Sequence, residues 1–288
     1  MNGPAQSGSR PLALCHYTMV ELDPPAFVDV ADRAGFAAVS LMVQFPASRG
    51  PGFPVLGDTA MRRETRRRLD DTGLVLFDAS TCRLEPDSEA EDFRQALETA
   101  AYLSARSVNV NGNDPDDGRL CDRFAALCDL GAQYGLGFGL EFMMSTQVKT
   151  LADALALIER SGTANAAVTV DALHLARSGG SPAQVAALNA AQISYVQLCD
   201  GPASVPPRGY AWEAATERML PGEGELPLRA LVEAVASGVL LAVGGAVAAA
   251  AGRRPAARPL RRPVRPGCAV RSRLRPRVHD VHAGQNPR

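Results

Sequence analysis

Three short stretches end successive apolar runs with groups that can do chemistry: Leu-Glu-Phe around Glu141, Val-Asp-Ala-Leu-His from Val170 to His174, and Val-Gln-Leu-Cys-Asp from Val196 to Asp200. Carboxylates both hold divalent cations and move protons. Glu141 and Asp171 offer two of them from neighbouring runs, and Gln197 adds a neutral amide oxygen. His174 stands three residues past Asp171, placed to meet a substrate oxygen or to support a ligand. An oxygen-rich set of this kind suits Mn, Mg or Co, with Zn as a further option. Asp200 orients a ligand or binds loop amides; the sequence leaves both open.

Groups that share a site must be brought to one place by the fold. Short β-like runs lie at 11–17, 37–45, 74–81, 107–112, 137–143, 166–175 and 193–200, with an eighth at 238–243, and amphipathic segments separate them. Thr150 and Ser181 read as helix N-caps, while Gly35, Gly73, Gly135 and Gly162 read as helix stops. Near-continuous apolar strands alternating with helices imply a parallel sheet covered on both faces. Repeats of about 30 residues in a chain of this size imply an α/β fold of the (β/α)8 TIM-barrel type. An open doubly wound sheet would carry a glycine-rich phosphate loop after its first strand, and none is present. In a barrel the chemistry gathers at the C-terminal strand ends. His16, Asn109, Asn111, Glu141, Asp171, His174, Gln197 and Asp200 all belong there.

Leu-Glu-Phe, Val-Asp-x-x-His, Val-Gln-Leu-Cys-Asp and Pro-Gly-Glu-Gly-Glu-Leu (221–226), in that order, resemble the sugar phosphate isomerase/epimerase group of the xylose-isomerase-like TIM barrels. The resemblance runs over roughly residues 10–237. It implies a divalent metal held by residues on strands five to eight, and two glutamates acting as proton-transfer groups. Carried onto this chain, Glu141 is metal ligand and acid/base, Asp171 and Gln197 are ligands, and His174 contacts substrate. His16, Asn111, Asp200, Arg208 and Arg218 complete the expected substrate-binding set. The implied reaction is isomerisation or epimerisation of a sugar or sugar phosphate. A dehydratase of inosose or dehydroshikimate type is the nearest alternative, and a barrel that binds sugar or metal without turnover is the next.

The chain departs from the pattern at two strand ends. Gln197 stands where many members place a histidine ligand, and Gly244 stands where strand eight should bring its glutamate. Val243-Gly244-Gly245-Ala246 is compatible with the codons GTC GGA GGT GCC. Loss of one G gives GTC GAG GTG CC, which reads Val-Glu-Val and opens a Pro codon. A reading-frame slip near Gly244 accounts both for the missing glutamate and for the arginine-rich end of the chain. Residues 239–288 carry eleven Arg and one acid, Asp280, so the first 238 residues sum to −11 against +10 for the rest. Residues 1–10 are expected to be a flexible start, 11–245 the barrel with an incomplete eighth strand–helix unit, and 246–288 a disordered Arg/Pro/Ala-rich tail.

Other classes receive less support. The tail's arginines lack aromatics to stack on bases, and the acidic body opposes nucleic-acid binding. No apolar run reaches the roughly 18 residues a membrane span needs. No CxxC pair exists among the six cysteines, so they read as free thiols of a cytoplasmic protein. Cys199 lacks a partnering base, Lys149 lies beyond its strand, and Glu223 and Glu225 read as loop and helix-start acids. The expected partner is a small sugar-like molecule, with neither nucleic acid nor membrane, and the chain is compatible with a homo-oligomer.

Overall fold

A computed structural model describes residues 10–45 and 52–245 of the chain. The expected tail, the expected flexible start up to residue 9 and any helix after the eighth strand lie outside the described residues.

The strands form where the apolar runs stand: β1 Leu12–Cys15, β2 Ala38–Met42, β3 Val75–Leu84, β4 Ser107–Gly112, β5 Gly137–Glu141, β6 Ala166–Asp171, β7 Ile193–Leu198 and β8 Leu240–Val243. All eight pair in parallel in sequence order, and β8 closes on β1 through Leu12 opposite Leu241 and Leu14 opposite Val243. This is the closed barrel expected from the alternation, eighth strand included. Helices α1 Pro24–Ala34, α2 Ala60–Thr72, α3 Arg94–Tyr102, α4 Asp117–Ala132, α5 Leu151–Ser161, α6 Ala172–Arg177, α7 Pro182–Ala186, α8 Tyr210–Thr216 and α9 Leu228–Ala234 connect the strands.

Strand alternation divides the core in two. Ala13, Cys15, Ala38, Phe77, Tyr195 and Ala242 pack together inside the barrel. Leu14, Val39, Leu76, Val108, Leu140, Val170 and Leu241 face outward onto helix residues such as Phe27, Leu97 and Phe124. Each fully buried side chain of this size contributes about 1.5–3 kcal/mol. Inside the barrel the fit is tight. At Gly139 a Cβ would overlap the Thr169 hydroxyl across the β5–β6 pair, so only glycine lets those strands meet.

Helix ends follow their residues. Gly35, Gly73 and Gly162 end α1, α2 and α5 in the left-handed region, at φ 83°, 71° and 64°. Thr150 Oγ1 accepts from the Asp153 amide at 3.1 Å, and the Asp153 carboxylate accepts from the Thr150 amide at 2.9 Å. Two elements differ from the sequence expectation. The run 166–175 stops being a strand at Asp171, whose carboxylate accepts the His174 N–H at 3.0 Å and caps α6, so His174 sits on a helix. β3 continues three residues beyond the expected end and carries Arg83 to the barrel rim.

Candidate active site

Parallel registers set the site. Asn111 lies opposite Glu141 across β4–β5, and Asp171 lies opposite Gln197 across β6–β7. Asn111, Glu141 and Gln197 open into a cavity of about 510 Å3 at the C-terminal end of the barrel, with Asp171 buried behind its wall. Its walls include Ser80, Thr81, Arg83, Asn109, Asn111, Glu141, His174, Tyr195, Gln197 and Arg218. Among the described residues, Glu141 is the one carboxylate that lines it.

Asp171 is fully buried and saturated with donors. It accepts from Gln197 Nε2 at 2.8 Å, from Arg218 Nη1 at 2.5 Å and from the His174 amide. Burial alone would raise its pKa, but the Arg218 charge, joined by His174, holds the carboxyl below its ordinary value. Among the described residues, the weakly basic His174, whose Nε2 is 3.9 Å away, is the one cationic partner of Glu141 within ion-pair distance. Asn111 Nδ2 donates to its Oε2 at 3.2 Å. Burial, reinforced by the Asp171 charge, pushes Glu141 up to about 7. Two carboxyls a few ångströms apart thus divide into a fixed anion and a group that is readily protonated near neutral pH.

The proton positions on His174 follow from its partners. Arg218 Nη2, which can only donate, lies 3.1 Å from Nε2, and Tyr210 Oη lies 2.8 Å from Nδ1. Nε2 is therefore the acceptor, and Nδ1 carries the proton that it donates to Tyr210. Burial and the Arg218 charge push the imidazole down to about 4 against the opposing Asp171, so it is neutral at physiological pH. Arg218 itself is buried, anchored by Asp171, His174, the Ala214 carbonyl at 2.9 Å and Cys199 Sγ at 3.1 Å.

The donor set could hold a divalent cation: Glu141, Asp171 and His174 each offer a ligand atom, all within 4.8 Å of one another. Gln197 stands beside them with its amide nitrogen toward Asp171 and its Oε1 3.5 Å from Cys15 Sγ. No carboxylate comes from β8. A Cβ on Gly244 would lie 2.7 Å from Cys15 Cβ and 2.9 Å from Gln197 Cδ, so the position is packed shut.

Of the residues singled out in the sequence, Asn111, Glu141, Asp171, His174, Gln197 and Arg218 come together. His16 does not join them. Its Nδ1 accepts from the Met42 amide at 3.1 Å, its Nε2 donates to the Leu22 carbonyl at 2.8 Å, and its ring packs on Phe27. The ring ties the end of β1 to β2, with both nitrogens used. Asp200 binds loop amides: it accepts from Gly201, Gly222 and Leu226 at 2.9, 2.9 and 3.0 Å and shapes the turn before α9. Arg208 is exposed, stacked over Trp212 and apart from the cavity. Cys199 is buried, and burial raises its thiol to about 12. Tyr210, Arg83 and the buried Asp78 escaped the sequence reading. Tyr210 starts a seven-residue helix with no periodic signal, and Asp78 lies inside an apolar run.

A model of the xylose isomerase-like TIM barrel family matches residues 28–239. The chain is 30% identical over 191 residues to a 3-dehydroshikimate dehydratase of Pseudomonas aeruginosa, which covers 61% of this chain. It spans only 30% of that relative's length. Among solved structures it is similar to the IolI protein with a bound zinc atom, at 15% identity and TM-score 0.67 over 82% of this chain and 89% of the other. It is also similar to a 3-keto-D-glucoside 4-epimerase from E. coli, at 15% identity and TM-score 0.62 over 84% and 94%. With 212 of its 288 residues inside the family match, the chain belongs to the xylose isomerase-like TIM barrels.

Proposed function

We propose that this barrel removes a proton next to a carbonyl of a cyclic hydroxy-ketone and expels the neighbouring hydroxyl as water, a dehydration of the dehydroshikimate type. The observation that carries this reading is that, among the described residues, Glu141 is the one carboxylate lining the cavity, while the end of β8 brings glycine in place of a second acid. Epimerisation exchanges a proton between two faces of one carbon and calls for an acid or base on each. Elimination of water runs with one. Glu141 takes the proton from carbon, leaving an enolate, and then delivers that proton to the departing hydroxyl. Substrate becomes unsaturated ketone plus water, and Glu141 returns to its starting state. A group held near 7 serves both steps. Arg218 presents N–H groups to substrate oxygens beside the neutral His174 ring, and Asn109, Asn111, Ser80 and Thr81 suit ring hydroxyls. Glu141, Asp171 and His174, with Gln197 adjacent, would hold a Mn, Mg, Co or Zn ion, which when bound supplies positive charge for the enolate oxygen.

The similarity to the dehydroshikimate dehydratase supports dehydration as the reaction. The polyol-suited wall supports metal-dependent isomerisation or epimerisation of a sugar or sugar phosphate as the second reading. The test is incubation of the full chain and Mn with 3-dehydroshikimate, following the aromatic product by its ultraviolet absorbance. The expected result is product formation that Glu141→Gln abolishes. Turnover of a ketose without dehydration would replace this reading with the second. Ligand binding without turnover of either would make the chain a binding barrel.

A further inference from the structure

Arg218 is the buried group whose position the proposed reaction uses least. A residue that only greeted substrate would extend into the cavity. Instead its guanidinium lies on Asp171 Oδ2 at 2.5 Å and His174 Nε2 at 3.1 Å, on two of the three residues grouped for a cation. The end of β8 makes this possible. A Cβ on Gly245 would overlap Arg218 Cδ, and one on Gly244 would press on Gln197. Side chains at either position would push into the space that Arg218 and its neighbours fill. The two glycines thus remove a carboxylate and admit a guanidinium in one stroke.

Resting on the reading of Glu141, Asp171 and His174 as a cation-holding set, we propose that Arg218 and a divalent metal compete for Asp171, so that an anionic ligand drawing Arg218 into the cavity tightens metal binding. Two positive groups cannot both sit against one buried carboxylate without strong repulsion. The carboxylate's lone pairs are already shared among Gln197, the His174 amide and Arg218. The metal therefore has to displace the guanidinium, and anything that gives Arg218 another anion lowers that cost. By linkage, the metal then raises affinity for the anion by the same factor.

The experiment is Mn titration of the full chain, read by loss of the paramagnetic resonance signal of the free aqueous ion. Arg218→Gln keeps donors and removes the charge, and is expected to bind Mn at least tenfold tighter than the parent chain. Arg218→Lys, which keeps a cation, is expected to bind no tighter than the parent. Equal or weaker binding by Arg218→Gln, with binding that Asp171→Asn abolishes, overturns the competition and leaves the metal reading standing. Absence of Mn binding in every variant overturns both. Should Arg218→Gln fail to fold, the parent chain is titrated with and without shikimate, a ring hydroxy-acid lacking the carbonyl. Tighter Mn binding in its presence supports the proposal, and unchanged binding overturns it.

Discussion

At the scale of single residues, the site works by assigning different jobs to chemically similar groups. Asp171 and Glu141 are both carboxylates near the same strand ends, yet three donors hold one as an anion and burial keeps the other protonatable. The Asp171–Arg218 pair is buried on both sides. Breaking such a pair by removing one partner leaves an uncompensated charge. Asp171→Asn is expected to destabilise the protein by about 3–5 kcal/mol, measured by urea unfolding at neutral pH. The double variant Asp171→Asn with Arg218→Met should recover a large part of that loss. Tyr210 has a subtler part. It takes the Nδ1 proton of His174 and so fixes which nitrogen faces Arg218. Tyr210→Phe removes that acceptor, and an orienting group of this sort is worth about 10- to 100-fold in metal affinity or activity. The expected loss is in kcat with folding intact, and a tyrosine-to-phenylalanine change that left kcat untouched would make the contact purely structural.

Strands and helices explain both what the sequence revealed and what it concealed. The barrel was readable because its strands are continuous apolar runs and its helices end in glycines; neither signal depends on distant contacts. Glu141, Asp171 and Gln197 were readable because strand ends in a barrel point to one mouth. His174 was placed on a strand instead of α6 because the helix starts by virtue of Asp171's cap, a side-chain bond that periodicity does not register. His16 looked like a mouth residue by position, and only the three-dimensional path from Leu22 to Met42 consumes its nitrogens. The end of β8 can be tested at this same scale. Gly244→Glu returns the acid that the family pattern places there, but its Cβ meets Cys15 Cβ at 2.7 Å and Sγ at 2.9 Å. Overpacking of this kind costs about 1–3 kcal/mol. Cys15→Gly removes these two clashing atoms and leaves only the end of the Gln197 side chain, 2.9 Å away, to shift. In a double-variant cycle the pair is expected to show favourable coupling of about 1 kcal/mol or more, and additive losses would mean that β8 yields without help from β1.

Across the whole molecule, buried ionisable groups of opposite type determine how stability responds to pH. Asp78 and Glu141 are each pushed up to about 7 by burial, with Asp78 bonded to Ser80 Oγ at 2.5 Å and its Oδ1 without a partner. Their unfolded values are about 3.9 and 4.3. Between about pH 4.5 and 6.5, then, the folded chain carries two protons that the unfolded chain has lost, which makes stability fall as pH rises. His16 and His174 do the reverse. Burial lowers both, His174 to about 4, so below about pH 6.5 the unfolded chain takes up the His174 proton that the folded chain refuses, and the lowered His16 acts in the same direction. That makes stability fall as pH drops. The histidines thus oppose the two carboxyls, and depressed carboxylates such as Asp171 and Asp114 lose their contribution only below about pH 4. Metal-free protein is therefore expected to show a urea midpoint that falls less steeply from about pH 4.5 to 6.5 than the two raised carboxyls alone would make it. Asp78→Asn removes one of the four opposing groups. Relative to the parent, its stability is expected to gain about 1.4 kcal/mol per pH unit across that window, the slope of the one proton that Asp78 retains. A profile of Asp78→Asn parallel to the parent's would show that Asp78 ionises in the folded chain as it does in the unfolded one.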